Sequence, residues 1–168
     1  MSESSPGHWP EFRPTALLEA LARGGVDFVV IGGIAAVARG SARLTQDLDI
    51  TYSSDRDNLE RLGQVLAGLD ARLRGVDDDV PFVADERTLR HTSLLTLATR
   101  LGPLDLVSEP DGAPGYEQLR KEADRITVGG TPVLIASVDH LVAMKVSTGR
   151  PKDLTDIEEL EAIRRLSR

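Results

Sequence analysis

The pattern of apolar and polar residues along the chain switches repeatedly between helical and strand periodicity. Apolar residues three and four positions apart predict helices, and short apolar or alternating runs predict strands. The predicted helices are Pro14–Arg23, Ile34–Arg39, the stretch after Ser53-Ser54-Asp55, Tyr116–Ala123, Val138–Ser147 and Lys152–Leu166. The predicted strands are Asp27–Ile31, Leu48–Tyr52, Ala71–Arg74, Ser93–Ala98, Pro103–Val107, Ile126–Val128 and Pro132–Ile135. Because the two kinds of element are interleaved, the pattern predicts an α+β (α/β) domain.

One segment, Gly75–Thr92, follows neither periodicity. Its sequence, GVDDDVPFVADERTLRHT, is acidic and carries only scattered apolar residues. We interpret the segment as a variable loop or a weak hairpin, and its run Asp77-Asp78-Asp79 as part of a solvated loop.

The composition is that of an ordinary globular domain. The chain has 168 residues, 40% of them hydrophobic and 28% charged, which suffices for one domain with a substantial core. The absence of cysteine excludes disulfides, thiol catalysis and cysteine-ligated zinc. No apolar run approaches the roughly 20 residues of a membrane span, and the polar, proline-rich start is not a secretory signal. We therefore expect a cytoplasmic protein that has a flexible arm over 1–13 and one domain over 14–168, with its core over 27–136 and a helical part over 137–168.

The net charge of −7 argues against broad, sequence-blind binding to nucleic acid, which depends on cationic surface. Basic residues nevertheless gather in two places that a local patch requires. Arg39 and Arg43 precede the acidic motif described next, and Lys145, Arg150 and Lys152 lie late in the chain.

Two carboxylates lie one residue apart in the second predicted strand. Asp47 and Asp49 alternate with apolar Leu48 and Ile50. In a strand, residues i and i+2 point to the same face, so both carboxylates project together. Like charges in one place repel each other, and a divalent metal between them is a common solution.

A glycine pair ends the first predicted strand, FVVI, ahead of these carboxylates. Gly32 and Gly33 permit a phosphate to approach the backbone closely and leave a helix N-terminus facing it. A phosphate-binding turn together with metal-binding carboxylates is the minimum apparatus for chemistry on a nucleoside triphosphate.

A third acid, Asp105, lies inside the apolar strand Pro103–Val107. A buried carboxylate without a partner is costly, so we expect Asp105 to share a metal with Asp47 and Asp49. Three carboxylates on neighbouring strands hold two magnesium ions about 4 Å apart in enzymes of in-line phosphoryl transfer. Either a metal lowers the pKa of the attacking hydroxyl, or Asp105 acts as its base.

Each motif has a simpler explanation when it is taken alone. A glycine pair also makes a tight strand–helix turn, and alternating aspartates occur on half-exposed strands. Lys145 suits an amphipathic helix, and Asp153 suits the first turn of a helix, where the dipole favours an acid. The combination of the glycines, the spaced aspartates and Asp105 favours the catalytic interpretation.

The order of these motifs resembles the nucleotidyltransferase fold of the polymerase-beta superfamily, in which helices flank a mixed central β-sheet. The matching residues are Gly32, Gly33, Asp47, Asp49 and Asp105. Further motifs resemble the small AbiEii-type nucleotidyltransferases, which include toxins of bacterial toxin–antitoxin pairs. These motifs are Arg43-x-Thr45, Lys145 and Arg150-x-Lys152-Asp153-x-x-Asp156, and the resemblance runs from about Phe28 to Leu160.

The resemblance implies roles for these residues. It implies that Asp47, Asp49 and Asp105 together bind two Mg²⁺ ions, which Mn²⁺ can replace. It also implies that Lys145 holds the triphosphate. It assigns Asp153 and Asp156 to a late acidic pair at the nucleotide site, and Arg150 and Lys152 to phosphate or RNA backbone. Thr45 occupies a position that is phosphorylated in some members, where added negative charge would block the site.

The resemblance also implies a function. We expect transfer of a nucleoside monophosphate from a triphosphate to an acceptor hydroxyl, with release of pyrophosphate. The expected acceptor is the 3′ end of transfer RNA, because the mycobacterial branch of the family modifies that end. The expected partners are a nucleoside triphosphate, transfer RNA and a cognate antitoxin. Three alternatives remain open, namely an antibiotic (lincosamide or aminoglycoside) nucleotidyltransferase with an acidic drug pocket, an enzyme that modifies a partner protein, and a non-catalytic nucleotide-binding module.

Overall fold

A computed structural model of the chain describes residues 10–77 and 81–167. The helices are α1 (Pro14–Arg23), α2 (Gly32–Ala38), α3 (Arg56–Gly68), α4 (Glu86–His91), α5 (Tyr116–Glu122), α6 (Val138–Thr148) and α7 (Asp153–Leu166). The strands are β1 (Phe28–Ile31), β2 (Leu48–Tyr52), β3 (Arg72–Leu73), β4 (Leu94–Thr99), β5 (Gly102–Val107), β6 (Asp124–Val128) and β7 (Thr131–Ile135).

The strands form a single mixed sheet in the order β3-β4-β5-β2-β1-β7-β6. The central pairs are β2 with β5 and β1 with β7, both parallel, and β1 with β2, which is antiparallel. The β4–β5 hairpin extends the sheet on one side, where β3 pairs antiparallel with β4 at the edge, and the β6–β7 hairpin adds β6 on the other side. The predicted fold class, a mixed central sheet flanked by helices with helices at the C-terminus, is therefore confirmed.

The two faces of the sheet differ in burial because strand residues alternate between them. On one face, Leu48, Ile50 and Leu104 are fully buried, in a core to which α1 and α3 contribute leucines. The other face carries Asp49 and Asp105, which are paired in register on β2 and β5. The hydrophobic pattern of β2 thus fixes which face is core and which face carries the acids.

The segment predicted as a loop or weak hairpin, Gly75–Thr92, contains a helix, so that prediction is wrong over Glu86–His91. Asp85 starts α4, since its side chain accepts a hydrogen bond of 2.8 Å from the backbone N–H of Thr88. The helix is six residues long and buries one residue, Leu89, so no helical periodicity is visible in the sequence. Asp77 is exposed, and Asp78 and Asp79 lie outside the described residues.

The end of the predicted N-terminal arm is attached to the sheet. Arg13 donates its backbone N–H to the carbonyl oxygen of Leu101 at 2.9 Å, and Phe12 lies against Gly102 in the β4–β5 turn. The first nine residues of the arm lie outside the described part of the chain. Within residues 10–77 and 81–167, no helix has the length and apolarity needed to cross a membrane.

Two glycines of α3 provide a matched test of the packing on this side of the sheet. A Cβ at Gly63 would overlap the carbonyl oxygen of Ala84, whereas a Cβ at Gly68 has no heavy atom within 4 Å. Gly63→Ala should therefore lower the free energy of unfolding by about 1–3 kcal/mol despite the higher helix propensity of alanine. Gly68→Ala should leave it unchanged or raise it by up to ~1 kcal/mol. Urea denaturation of both variants tests this, and equal stability of the two would contradict the packing described here.

Candidate active site

Three carboxylates converge on the sheet face opposite Leu48, Ile50 and Leu104. Asp47 immediately precedes β2, Asp49 lies within it, and Asp105 lies beside Asp49 on β5. One carboxylate oxygen from each lies within 4.8 Å of the others. No second group of three such ligands occurs in the described residues. The expected trio is thus brought together, and three carboxylates are the oxygen ligands that Mg²⁺ and Mn²⁺ prefer.

The electrostatics of this cluster are unfavourable without a cation. Burial, the negative charge of Asp47 and that of Asp105 raise the pKa of Asp49 to about 8, although Lys145 opposes the shift. Burial also raises the pKa of Asp105, which the guanidinium of Arg74 counteracts. At neutral pH the protein therefore tends to keep a proton on Asp49, which a metal ion would replace.

The glycine pair lies directly against this cluster. Gly32 has a φ of +68°, and a Cβ there would overlap Oδ2 of Asp49. A Cβ at Gly33 would lie 2.6 Å from Oγ1 of Thr45. Helix α2 begins at Gly32 with no side chain capping its first backbone N–H groups. Both positions therefore require glycine, because the strand–helix turn passes close to Asp49 and Thr45.

Thr45 lies where the resemblance predicted it, beside the carboxylates. Its Oγ1 donates a hydrogen bond of 3.2 Å to the backbone carbonyl of Asp47. A phosphate on this oxygen would be placed against the glycine turn and next to Asp47. Its modification stays a prediction.

Lys145 on α6 connects the carboxylates to α7. Its Nζ lies 3.3 Å from Oδ1 of Asp153 and 3.4 Å from Oδ2 of Asp156. Asp156 also pairs with the guanidinium of Arg43, which belongs to the loop before Asp47. Both predicted late acids therefore neutralise predicted phosphate-binding cations in this structure.

Asp153 is the most buried acid of the site. It is fully inaccessible to solvent, and its carboxylate accepts hydrogen bonds from Thr148 at 2.9 Å, Arg150 at 3.0 Å and Lys145 at 3.3 Å. Burial alone would raise its pKa, but these donors outweigh burial and lower the pKa to about 2. Asp153 thus remains ionised and holds the positions of Lys145 and Arg150.

A cleft of about 190 Å³ opens between α6 and the sheet at this site. Among the residues lining it are Gly32, Asp49, Lys145 and Arg150, together with apolar Val107 and Met144. Lys152 stands apart, because its side chain is exposed and makes no hydrogen bond or ion pair within the described residues. Of the predicted nucleotide-binding residues, Gly32, Lys145 and Arg150 line this cleft, together with the metal-binding candidate Asp49.

Two contacts at the site were not predicted from the sequence. Arg74, next to β3, donates a hydrogen bond of 2.8 Å from Nη2 to Oδ1 of Asp105. Glu159 on α7 accepts one of 2.9 Å from the backbone N–H of Ala42 and so anchors the loop before Asp47. Neither Arg74 nor Glu159 belongs to a recognised motif. The alternation of arginine and leucine in Arg72-Leu73-Arg74 indicates only that the two arginines share one face of a strand.

Comparisons with known proteins agree with this geometry. The sequence model of the family described as "Nucleotidyl transferase AbiEii toxin, Type IV TA system" matches residues 16–166. No curated protein matches the chain.

Several solved structures share the fold at low sequence identity. The lincosamide antibiotic adenylyltransferase LnuA, solved with lincomycin, has a TM-score of 0.61 and 16% identity over 91% of this chain and 99% of its own. An antigenic nucleotidyltransferase-like protein from Paracoccidioides brasiliensis has a TM-score of 0.59 and 20% identity, covering 90% of this chain and 73% of its own. ANT(2")-Ia, in complex with adenylyl-2"-tobramycin, has a TM-score of 0.55 and 17% identity, covering 88% and 83%.

The family match covers nearly the whole described domain, and it includes the glycine turn, the three carboxylates and Lys145. The structural neighbours support the nucleotidyltransferase fold independently. The chain therefore belongs to the AbiEii nucleotidyltransferase toxin family, and it is a nucleotidyltransferase.

Proposed function

We propose that the protein transfers a nucleoside monophosphate from a nucleoside triphosphate to a hydroxyl at the 3′ end of transfer RNA, with release of pyrophosphate. The observation that carries the proposal is the convergence of Asp47, Asp49 and Asp105 beside the Gly32-Gly33 turn. The family description adds that the enzyme acts as the toxin of a toxin–antitoxin pair, so a cognate antitoxin is the expected partner.

The three carboxylates fit Mg²⁺, and Mn²⁺ suits the same ligands. The set contains only oxygen donors, and burial together with the neighbouring acids raises the pKa of Asp49 to about 8, so a cation would stabilise its ionised form. Asp47, Asp49 and Asp105 would hold the metal, and carboxylate sets of this kind bind two ions in other phosphoryl-transfer sites. When bound, the metal supplies charge neutralisation for the triphosphate and the leaving pyrophosphate.

The side chains on the α2–α6 side of the carboxylates suit the triphosphate. The uncapped start of α2 at Gly32 offers backbone N–H groups, and Lys145 supplies a positive charge at the rim of the same cleft. Arg43 and Arg150 lie close enough to Lys145 to share acids of α7 with it. Phosphate oxygens would compete with Asp153 and Asp156 for these cations.

The reaction needs one bond to form and one to break at the α-phosphorus. The acceptor oxygen forms a bond to the α-phosphorus. The bond between the α-phosphorus and the oxygen that bridges it to the β-phosphate breaks, and pyrophosphate leaves. The acceptor hydroxyl loses its proton, and we assign Asp105 as the base that accepts it, since Asp105 is the acid of the trio on β5. In this proposal, Asp105 is the acid that faces the acceptor hydroxyl.

Transfer RNA is proposed as the acceptor because the Arg43-x-Thr45 and Lys152-Asp153-x-x-Asp156 motifs resemble AbiEii-type enzymes, whose mycobacterial branch modifies transfer RNA. The net charge of −7 disfavours indiscriminate RNA binding, so the acceptor must be recognised locally. A second candidate acceptor is an antibiotic, because two structural neighbours carry lincomycin or a tobramycin product. Both candidates use the same carboxylates, so the acceptor must be found by experiment.

One assay separates the acceptors. The protein is incubated with Mg²⁺ and each labelled nucleoside triphosphate, in the presence of total bacterial RNA, of lincomycin or of tobramycin. Label on a band of transfer-RNA size supports the proposal and identifies the base. Label on a drug alone, or on no acceptor from a protein that binds triphosphate, would contradict it.

The first prediction concerns the metal ligands. Asp47→Ala should reduce nucleotide transfer by about 1,000-fold or more, because a metal site supplies several kcal/mol of transition-state stabilisation. The fold should persist, since Asp47 is only half-buried and precedes β2. The matched control is Asp57→Ala, an exposed acid at the start of α3, which should retain activity. Full activity in Asp47→Ala would refute the site.

The second prediction concerns pH. The folded protein keeps a proton on Asp49 up to a pKa of about 8, whereas an unfolded aspartate loses it near pH 4. Metal-free protein should therefore lose stability as pH rises from 4 to 8. Asp49→Asn should weaken this dependence and be more stable than wild type at pH 8. Thermal unfolding in EDTA measures both effects.

The same experiment has a metal arm. Mg²⁺ should raise the unfolding temperature of the wild type more at pH 8 than at pH 6, because the metal and the proton compete for Asp49. The increase should disappear in Asp49→Asn and persist in Asp57→Asn. A pH-independent increase would mean that the metal binds elsewhere.

The third prediction concerns Lys145. Lys145→Ala should raise the KM for the triphosphate by about 10- to 100-fold, the value of one charge-assisted contact. Lys121→Ala, an exposed lysine on α5, is the control and should leave KM unchanged. Steady-state kinetics with varied triphosphate measure these KM values. An unchanged KM for Lys145→Ala would contradict the proposal that Lys145 binds the triphosphate.

A further inference from the structure

The sheet face that bears the carboxylates is open on one side of them. Residues of β4 and β5 that share this face are half-buried or exposed, with Leu94 55% accessible. Their neighbours on the opposite face, Leu97, Leu104 and Leu106, are fully buried. The described residues thus leave a surface over β3, β4 and β5 that ends at Asp105.

A row of paired residues crosses this open surface toward the site. Arg74 donates its backbone N–H to Thr96 at 2.9 Å, Thr96 is paired with Asp105, and Asp105 is paired with Asp49. Paired residues point to the same face. Arg74 therefore lies on the same face as the carboxylates, two strands from Asp105, and its guanidinium spans that distance to reach Asp105.

A second arginine continues the row outward. Arg72 is two residues before Arg74 on the edge strand and so shares its face. It is exposed, and its side chain makes no ion pair or hydrogen bond within the described residues. Two cations therefore line the open surface, one beside the reacting carboxylates and one at the sheet edge.

The direction of the reaction assigns a use to this surface. In an in-line displacement, the attacking oxygen and the leaving group lie on opposite sides of the phosphorus. The proposed function puts the triphosphate in the cleft lined by Gly32 and Lys145, on the α2–α6 side of the carboxylates. The acceptor must then approach from the opposite side, which is the open surface over β3, β4 and β5.

We propose that Arg72 and Arg74 form an acceptor-binding subsite that holds the phosphate backbone of an RNA acceptor beside Asp105. The inference rests on the proposed function, since it takes the chemistry to occur at the three carboxylates. Arg74 pairs with Asp105 through Nη2, and the remaining donors of its planar guanidinium suit an acceptor phosphate beside that acid. An aminoglycoside acceptor carries protonated amines, which two arginines would repel.

The test measures RNA binding separately from catalysis. Labelled transfer RNA is titrated with the full chain by fluorescence anisotropy without triphosphate, in EDTA and in Mg²⁺. Arg74→Ala and Arg72→Ala should each weaken binding, by about tenfold for Arg74→Ala in Mg²⁺, and Arg74→Lys should restore part of it. Each alanine variant should lower the slope of log K against log salt by about 1. Arg125→Ala, an exposed arginine on the opposite edge strand β6, should bind as wild type.

Transfer kinetics distinguish binding from mere positioning of Asp105. Arg74→Ala should raise the KM for RNA and leave the KM for the triphosphate unchanged. A loss confined to kcat, with unchanged RNA affinity, would overturn the inference and leave Arg74 as a positioning residue. Arg72→Ala removes no hydrogen bond or ion pair of the described side chains, so we expect the fold to persist and the RNA affinity to report on binding.

The remaining outcomes separate this inference from the proposed function. If the wild type labels RNA and both arginine variants bind RNA normally, the subsite is wrong and the transfer to RNA stands. If the wild type binds triphosphate but neither binds nor labels RNA, the RNA acceptor and the subsite fall together.

Discussion

The register between β2 and β5 forces negative charge into one place, and the rest of the site is arranged around it. Asp49 and Asp105 are paired residues on neighbouring strands, and Asp47 lies on the same face. Strands in a sheet are about 4.8 Å apart, so these carboxylates cannot separate without breaking the ladder. Burial and mutual repulsion together raise the pKa of Asp49 to about 8. A cation between the three acids relieves the repulsion, which explains why such a sheet suits a metal.

Positive charge near the carboxylates is held in place by α7. Asp153 is fully buried and ionised, and it fixes Lys145 and Arg150 through its hydrogen bonds. Asp156 pairs with Arg43, and Glu159 binds the backbone of the same loop. The last helix therefore holds Lys145, Arg150 and the loop that precedes the aspartates. The late acids of the sequence motif thus have a structural task whether or not they also contact nucleotide.

The carboxylates divide their sheet face into two regions with different properties. Toward α2 and α6, the glycine turn, Lys145 and apolar side chains form a small cleft. Toward β3, the face is open and carries Arg72 and Arg74. Such a division suits a reaction with two substrates that meet at one phosphorus. The fold is shared with enzymes that modify antibiotics, so the residues of the open region are the place where acceptor preference would differ.

Local sequence determined most elements and the pattern of each motif. The period of two in Asp47-Leu48-Asp49 places both acids on one face, and Ser137 starts α6 by accepting the N–H of His140 as expected of an N-cap. Helix α4 escaped prediction because only Leu89 is buried. Only the tertiary structure decided which charges meet: Arg74 and Asp105 are 31 residues apart, and Arg43 and Asp156 are 113 apart. Periodicity reports on neighbours along the chain, whereas these pairs depend on strand order and helix packing.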